Sequence, residues 1–261
     1  MLKVGGAALD DAKLRRECAQ AIAAVAREHE VAVVHGGGAA LTRTLARLGK
    51  KSEFVGGLRV TDAETRDAAV MVLAGGVNKQ LVAELAMLGC AAIGLCGGDA
   101  AMFRAKKRGP NGHGAPHADL GFVGDVCNAD ARWIRALWSE RCIPVIASLA
   151  LGHDGEYYNV NADQMAAACA VAVGADALVF LTDVPGVKDA FGIVMKSLSV
   201  SQIPALVESQ VIAGGMLPKL EACSTALEQG VARVLITPAA EAGALREIAS
   251  LRFAAGTEVH A

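Results

Sequence analysis

The sequence predicts an α/β protein in which buried strands alternate with helices. Short apolar runs recur along the chain, which is the pattern of strands that are covered on both faces. Segments with helical periodicity separate these runs, for example residues 10–28, which carry an apolar face at helical spacing. Glycine-rich turns follow several of the runs. The apolar runs are residues 31–34, 91–96, 143–147, 177–181 and 231–237.

Composition limits the classes of protein to which the chain can belong. With 261 residues it can form one large domain or two lobes around a sizeable core. Although 53% of the residues are hydrophobic, no uninterrupted apolar run approaches the ~20 residues of a membrane span, and the first residues lack the form of a signal peptide. We therefore expect a cytoplasmic protein. The net charge of −2 argues against nucleic-acid binding as the main function.

The seven cysteines indicate neither a zinc site nor a disulfide framework. None belongs to a Cys-x-x-Cys pair, and most lie within apolar segments. Such cysteines are usually small buried hydrophobic residues in a reducing compartment. We therefore expect no protein-bound metal centre.

The most informative stretch is residues 143–187, where polar side chains lie between two apolar strands. Asn159, Asn161 and Asp163 alternate just before an Ala-rich helix that ends at Gly174. Turns and helix caps commonly use these residue types, but capping requires one of them and not three at alternate positions. Because open α/β sheets bind ligands where strands end and helices begin, we expect a binding site here.

Two glycine-rich turns follow the first two predicted strands. Lys3 precedes Gly5 and Gly6, and a lysine in a buried strand requires a partner, unless the chain start is frayed and Lys3 lies in solvent. Glycines 36–38 separate the second strand from a helix, so an anion can approach their backbone N–H groups. We interpret His35 as a structural hydrogen-bonding residue and assign it no role. The glycine spacing matches neither a dinucleotide-binding fingerprint nor a P-loop.

Two further basic residues lie beside predicted helix starts. Thr61 and Glu64 have the spacing of a capping box, and Arg59 lies just before them. A surface arginine is the simplest interpretation, yet a planar guanidinium at this place suits a carboxylate. Lys219 falls in the first turn of a helix that begins near Pro218. Since a cation is unfavourable at the positive end of a helix, Lys219 requires an anionic partner.

Six motifs occur in order across nearly the whole chain. They are Lys3-x-Gly5-Gly6, His35-Gly-Gly-Gly38, Gly57-Leu-Arg-Val-Thr61, Asn159-Val-Asn-Ala-Asp163, Thr182-Asp-Val-Pro-Gly186 and Gly214-Gly-Met-x-Pro-Lys219. By these motifs the chain resembles the amino acid kinase family, and most closely the members that phosphorylate N-acetylglutamate. The resemblance implies a single domain with a three-layer αβα sandwich and a mostly parallel central sheet. An N-terminal lobe, about residues 1–150, would hold the acyl acceptor, and a C-terminal lobe, about residues 151–261, would hold ATP.

The resemblance also implies roles for individual residues. Lys3 and Lys219 would neutralise charge on the transferred phosphoryl group, and Asp163 would position both lysines. The acceptor-binding residues would be Gly37, Gly38, Arg59 and Asn159. The nucleotide-binding residues would be Gly5, Gly6, Thr182, Asp183, Val184, Pro185, Gly186, Val187, Lys188, Val211, Ile212 and Ala213.

The implied reaction is the ATP-dependent phosphorylation of the side-chain carboxylate of N-acetyl-L-glutamate, in arginine biosynthesis. A carboxylate is ionised at neutral pH, so the reaction requires positive charge and positioning but no general base. The lysines, the glycine N–H groups and Mg²⁺ carried mainly by ATP would supply that charge.

Two other functions remain open from the sequence. One is a kinase of lysine biosynthesis with an aminoadipate-type acceptor, because one extra methylene contributes only ~1–3 kcal/mol to discrimination. The other is a catalytically silent regulatory subunit that binds nucleotide, although Lys3, Asp163 and Lys219 are all present.

We also expect a homodimer that arginine does not inhibit. In the resembled family, arginine inhibition accompanies hexamers that are joined through an N-terminal helix before the first strand, and here Lys3 already belongs to that strand. Members of the wider family commonly pair through their N-terminal lobes, and the Ala-rich helices could supply a two-fold interface.

Overall fold

A computed structural model of the chain describes residues 1–109, 119–245, 247 and 255–261. Within them, the largest sheet has eight strands, and all neighbouring strands are parallel except the pair Arg233–Pro238 and Thr257–His260. The prediction of an α/β fold with a mostly parallel central sheet is therefore confirmed. In spatial order the strands are β12 (Ser197–Ser199), β14 (Thr257–His260), β13 (Arg233–Pro238), β11 (Ala177–Thr182), β1 (Leu2–Val4), β2 (Val33–His35), β8 (Ile143–Ala147) and β5 (Ala92–Cys96).

Two smaller sheets accompany the central sheet. The antiparallel strands Phe103–Lys107 and Gly124–Ala129 pair with each other, and residues 110–118 between them lie outside the described residues. The sequence analysis did not predict the strands on either side of residues 153–156. One sheet contains, in order, β10 (Tyr157–Asn159), β9 (Leu149–Gly152), β6 (Phe103–Lys107) and β7 (Gly124–Ala129), and the other contains β3 (Phe54–Val55) and β4 (Leu58–Arg59).

Helices connect most of the central strands. The predicted helix at residues 10–28 corresponds to Ala12–Val25, which is capped by Asp11, whose carboxylate accepts the N–H groups of Lys13 and Leu14. A short helix that the sequence analysis did not predict, Gly6–Asp10, precedes it. The α-helices are α1 (Gly6–Asp10), α2 (Ala12–Val25), α3 (Gly38–Arg47), α4 (Ala63–Ala69), α5 (Asn78–Met87), α6 (Arg132–Ser139), α7 (Ala162–Val173), α8 (Ile203–Glu208) and α9 (Met216–Glu228). A π-helix, Val70–Val77, joins α4 to α5, and 3₁₀ turns occur at Asp99–Ala101, Val200–Gln202 and Ala239–Ala244.

Different helices pack against the two faces of the central sheet, so the molecule has three layers. Successive side chains of a strand point to opposite faces. Val34 and Phe180 accordingly belong to a core that α7 and α9 share, whereas Val33 and Leu181 belong to a second core that α2 and α5 share. Lys3 is in register with Val34 and Phe180, so its side chain lies on the face of α7 and α9.

The capping box predicted at Thr61 is wrong by one residue. Asp62 is the residue that caps α4, because its side chain accepts the N–H of Thr65 at 2.9 Å. Thr61 is fully buried and its hydroxyl donates to the carbonyl oxygen of Arg59 at 2.9 Å. Both residue types cap helices, so their sequence pattern could not distinguish them.

The continuous helical segment Ala63–Met87 is long and apolar. It has 25 residues and a mean hydropathy of 1.2, and only 22% of its most apolar window is buried. By length and composition alone this segment could cross a membrane, which the sequence analysis did not anticipate. Core helices pass the same test, and Leu73, Leu81 and Leu85 fix one face of the segment in the core. The segment does not by itself indicate a membrane protein.

Asn78, the first residue of α5, packs against β5 at a position where only glycine fits. A Cβ atom at Gly94 would lie 1.7 Å from Asn78 Oδ1 and 2.7 Å from Lys79 Nζ, closer than real Cβ contacts. Asn78 is fully buried and cannot move aside into solvent.

We therefore predict that Gly94→Ala lowers the free energy of unfolding by about 1–3 kcal/mol, as overpacking commonly does. Urea denaturation measures this change. Gly243→Ala is the control, because no atom lies within 4 Å of a Cβ there, and its effect should stay within about 0.5 kcal/mol. Equal effects of the two substitutions would contradict the packing argument.

Candidate active site

Three charged side chains meet in the interior beside the central sheet. Lys3 Nζ lies 2.9 Å from Asp163 Oδ1, and Lys219 Nζ lies 3.1 Å from both carboxylate oxygens of Asp163. All three residues are buried, with exposed fractions of 6–7%. The structure therefore brings together the three residues for which the sequence analysis predicted catalytic roles, and excludes the alternative that Lys3 is frayed into solvent.

Local structure explains why the carboxylate lies here. Asn161 is the N-cap of α7, and its side-chain oxygen accepts the N–H groups of Asp163 and Gln164 at 2.9 and 3.2 Å. Asp163 consequently falls in the first helical turn, where the helix dipole favours a negative charge. Within the motif of alternating polar residues, Asn161 therefore caps α7, and Asp163 presents its carboxylate to the two lysines.

Lys219 occupies an unfavourable place on its own helix. It is the fourth residue of α9, near the positive end of the helix dipole. Asp163 compensates for this position, and Lys219 Nζ also lies 5.2 Å from the centre of the Phe180 ring, within range of a cation–π contact. The sequence-based requirement for an anionic partner of Lys219 is met by Asp163.

The electrostatics of the three groups favour an anionic ligand. Burial raises the pKa of Asp163, but the charges of Lys3 and Lys219 outweigh it and hold the pKa below its ordinary value. Burial and the neighbouring Lys3 lower the pKa of Lys219, and Asp163 opposes them. With both lysines protonated, the group carries one net positive charge, which a phosphate oxygen could neutralise.

The two glycine-rich turns touch each other at the carboxyl ends of β1 and β2. A Cβ atom at Gly6 would lie 3.2 Å from the backbone nitrogens of both Gly37 and Gly38. A Cβ at Gly5 would lie 3.2 Å from the carbonyl oxygen of Leu181 and 4.0 Å from Lys3 Nζ. Within the described part of the chain, the N–H groups of Gly37 and Gly38 donate no hydrogen bond. Free N–H groups at the start of α3 can bind an anion.

A pocket of about 180 Å³ lies beside these glycines, and Arg59 is in its wall. Arg59 is 7% exposed, and its guanidinium donates to the carbonyl oxygen of Gly38 at 2.9 Å and to Thr42 Oγ1 at 2.7 Å. It also donates to the Ser52 hydroxyl and stacks 4.6 Å from the ring centre of Phe54. Burial lowers the pKa of Arg59, and among the described residues no carboxylate pairs with it. The buried positive charge is therefore available to an anionic ligand.

Asn159 lies in the wall of the same pocket. It is the last residue of β10, and its side-chain nitrogen donates to Thr61 Oγ1 at 3.4 Å. Ser148 also lines the pocket, at the point where the apolar run 143–147 ends. The sequence analysis missed Ser148, as well as Ser52 and Phe54, which hold Arg59. A polar residue that directly follows a buried strand was the available signal for Ser148.

The predicted nucleotide segment 182–188 leaves the sheet at the carboxyl end of β11. Its course is fixed by Val187, which is buried and donates its N–H to Thr257 Oγ1 at 2.8 Å. A second predicted segment, 211–213, runs towards α9 and Lys219, with the Ile212 side chain buried in the core. The side chains of Val187 and Ile212 therefore pack inside, and contacts from these two residues to a ligand would have to come from their backbone.

Comparison with known proteins identifies the family of the chain. The sequence model described as the Amino acid kinase family matches residues 1–238. A protein of Acidobacterium capsulatum named Acetylglutamate kinase is 58% identical over 262 residues, which cover 100% of this chain and 98% of that protein. A protein of Koribacter versatilis with the same name is 51% identical over 99% of this chain and 97% of its own length.

A solved structure agrees with these sequence matches. The crystal structure of smu.665 from Streptococcus mutans UA159 superimposes with a TM-score of 0.82 at 27% identity. The superposition covers 99% of this chain and 97% of that chain. From the sequence match over most of its length, the chain belongs to the amino acid kinase family.

Proposed function

We propose that the protein catalyses, in the cytoplasm, the ATP-dependent phosphorylation of the side-chain carboxylate of N-acetyl-L-glutamate in arginine biosynthesis. The observation that carries this proposal is the pairing of Lys3 and Lys219 on Asp163, next to the free N–H groups of Gly37 and Gly38. Such a site supplies positive charge without a nucleophile or general base. The two relatives named Acetylglutamate kinase, with which the chain shares 58% and 51% identity, support this acceptor.

The proposed reaction brings two anions together. A carboxylate oxygen of the acceptor attacks the γ-phosphorus of ATP, a new O–P bond forms, and the bond to the β–γ bridging oxygen breaks to release ADP. Little covalent chemistry is required of the protein, so catalysis depends on positioning and on charge stabilisation. Lys3 and Lys219 would neutralise the equatorial and leaving oxygens, while Asp163 keeps the two ammonium groups in place.

The acceptor would occupy the pocket that Arg59 lines. Its α-carboxylate would pair with the guanidinium, which has no carboxylate partner among the described residues. Gly37, Gly38 and Asn159 would contribute hydrogen bonds to the acceptor from the adjoining wall. The acceptor's side-chain carboxylate would then face the lysines.

ATP would lie on the side of the C-terminal lobe, about residues 151–261, and the acceptor on the side of the N-terminal lobe, about residues 1–150. We assign segments 182–188 and 211–213 to the nucleotide, with Gly5 and Gly6 approaching its phosphates. In the described residues there is no group of three or more His, Cys, Asp or Glu side chains that could hold a metal ion. Mg²⁺ would therefore be held mainly by phosphate oxygens and water.

Turnover of candidate acceptors tests the proposed function. The purified protein is incubated with Mg·ATP, hydroxylamine and either N-acetylglutamate, glutamate, aspartate or N-acetylaminoadipate, and the hydroxamate is measured. N-acetylglutamate should give the highest kcat/KM. A higher value for an aminoadipate-type acceptor would assign the enzyme to that substrate, and absence of product with every acceptor would refute a kinase.

We predict that Lys219→Ala lowers kcat by on the order of 10²-fold or more, the effect of losing one stabilising donor in a transition state. The KM for N-acetylglutamate should change little, because the lysine contacts the transferred group and not the acceptor. Steady-state kinetics measures both constants. Lys196→Ala, an exposed lysine, is the control. A normal kcat with a raised KM would mean that Lys219 is only a binding residue.

We predict that Arg59→Lys raises the KM for N-acetylglutamate about 10-fold or more and leaves the KM for ATP unchanged. Lysine retains the charge but loses the bidentate geometry, and one charge-assisted hydrogen bond contributes roughly 1.5–3 kcal/mol. Arg47→Lys on exposed α3 surface is the matched control. Equal increases in both KM values would point to instability of the lobe.

We also propose that the enzyme is a homodimer that pairs through its N-terminal lobe. The long helical segment Ala63–Met87 and the neighbouring edge strand β5 expose Met71, Met87 and Ile93 by 63%, 87% and 43%. A second copy of the chain would cover this apolar surface.

Light scattering should therefore give twice the 26.7 kDa mass of the chain. The double variant Met71→Glu, Met87→Glu should be monomeric, because it places charges in the proposed interface. Phe191→Glu changes an equally exposed apolar residue of the C-terminal lobe and should remain dimeric. A monomeric wild-type protein, or a dimeric double variant, would refute the proposed interface.

A further inference from the structure

A buried polar pair under the glycine turn has no part in the mechanism described above. His35 ends β2 directly before Gly36, and Asn78 begins α5; both side chains are fully buried. The Asn78 amide nitrogen lies 3.0 Å from His35 Nε2. Burying two polar side chains is unfavourable unless their hydrogen bonds are made, so each contact of the pair constrains the others.

The surroundings determine how the Asn78 amide is oriented. Its side-chain nitrogen lies 2.8 Å from the carbonyl oxygen of Val145 and 3.5 Å from that of Leu95. Carbonyl oxygens only accept hydrogen bonds, so the NH₂ group and not the oxygen must face them. The Asn78 oxygen is left pointing at Gly94, where it makes no hydrogen bond in the described residues.

This orientation determines the tautomer of His35. The second N–H of Asn78 points at His35 Nε2, so Nε2 must accept and carries no proton. The proton of the neutral ring is then on Nδ1, which lies 2.8 Å from the carbonyl oxygen of Gly36 and donates to it. Burial lowers the pKa of His35 to about 4, which keeps the ring neutral near pH 7.

The hydrogen bond to Gly36 sets the direction of the next peptide group. In a trans peptide the C=O and N–H bonds point in opposite directions. Because the Gly36 oxygen is turned back to His35, the N–H of Gly37 points away from the ring. The backbone nitrogens of Gly37 and Gly38 accordingly lie next to Gly6, at the other glycine turn.

The helical segment that contains Asn78 also holds the glycine turn at residues 36–38 by side-chain packing. A Cβ atom at Gly37 would lie 2.6 Å from Leu73 Cδ2 and 3.2 Å from Val77 Cγ2, both in the π-helix that precedes Asn78. π-Helical turns are frequent at functional sites. The turn is thus held by side-chain packing at Gly37 and by a hydrogen-bond relay at Gly36.

We propose that Asn78 and His35 are positioning residues, which hold the peptide between Gly36 and Gly37 so that the N–H groups of Gly37 and Gly38 face the transferred phosphoryl group. The proposal rests on the kinase function proposed above. His35 touches no reacting atom and acts through the Gly36 carbonyl, and Asn78 acts by selecting the tautomer of His35.

The tautomer can be measured without any turnover. In wild-type protein with ¹⁵N-labelled histidine, the ring nitrogens of His35 should show a protonated Nδ1 and an unprotonated Nε2 at pH 7. A protonated Nε2, or a doubly protonated ring, would overturn the proposal. Because this measurement uses the unaltered protein, it decides the question even if every variant fails to fold.

Two substitutions separate positioning from simple packing. His35→Asn places an amide nitrogen near the position of Nδ1 and can still donate to Gly36, whereas His35→Gln places its amide near Nε2. We expect kcat of His35→Asn to stay within about threefold of wild type, and kcat of His35→Gln to fall by on the order of 10-fold or more, with the KM for ATP little changed. The KM for N-acetylglutamate should rise in His35→Gln, because Gly37 and Gly38 would also bind the acceptor. Equal losses of kcat, or a fall in thermal stability without a difference in kcat, would overturn the proposal.

A binding measurement distinguishes this inference from the proposed reaction. In protein with ¹⁵N-labelled glycine, addition of Mg²⁺ and the ATP analogue AMP-PNP should shift the Gly37 and Gly38 amide signals in wild type and His35→Asn, but much less in His35→Gln. If wild type forms no acetylglutamyl hydroxamate yet these shifts occur, the proposed acceptor is wrong and the positioning role stands. If hydroxamate forms but the shifts are the same in all three proteins, the positioning role is wrong.

Discussion

The carboxylate of Asp163 is the group on which the arrangement of this molecule depends. It joins a residue of a central strand, Lys3 of β1, to a residue at the start of α9, Lys219, and it stands itself at the start of α7. All three side chains are buried, so removal of Asp163 would leave two buried lysines without a counter-charge, whereas removal of either lysine would leave a neutral pair. The interaction therefore fixes the sheet and two helices relative to one another. It also leaves one positive charge in excess, which is the electrostatic requirement for binding a phosphoryl group.

Backbone groups are a second source of positive potential. The two glycine turns approach so closely that a side chain at Gly6 would press on the nitrogens of Gly37 and Gly38. A side chain at Gly6 would push the two main chains apart by a few tenths of an ångström, so their close approach favours glycine here. The N–H groups that this contact leaves free lie at the positive end of α3, where they add to the field of the lysines. Arg59 adds a third source of charge because its protein partners are neutral oxygens and an aromatic ring.

The position of the glycine turn depends in turn on residues far from it in the sequence. Gly36 is bonded to His35, His35 to Asn78, and Asn78 to carbonyl oxygens of β8 and β5. These contacts connect the edge of the sheet to the site, and of the side-chain polar atoms of His35 and Asn78 only Asn78 Oδ1 has no hydrogen-bond partner among the described residues. Such a series of hydrogen bonds can hold a peptide group in one orientation. Turning over one of the bonded groups would place two donors or two acceptors against each other.

By itself the sequence determined the features that arise from local pattern. Apolar runs located most of the central strands, and glycine clusters located the turns. Lys3, Arg59, Asp163 and Lys219 stood out by their places beside glycine turns and helix starts, and the family resemblance implied their roles. The sequence did not locate β10 or β14, which are short, or β9, which continues the apolar run 143–147 beyond Ser148. It also placed the helix cap at Thr61 instead of Asp62, because both residue types can cap.

Only the tertiary structure decided which polar groups meet. Asp163 and Lys219 are 56 positions apart, and Asn78 and His35 are 43 positions apart. No local pattern encodes such contacts, since they depend on strand order and on the phase of each helix. The sequence required a partner for Lys219 on electrostatic grounds, but only the fold showed that one carboxylate serves both lysines. The fold also gives His35 a role that the sequence analysis did not assign. Burial and the fixed amide of Asn78 leave its ring one tautomer, in which it donates a hydrogen bond to Gly36.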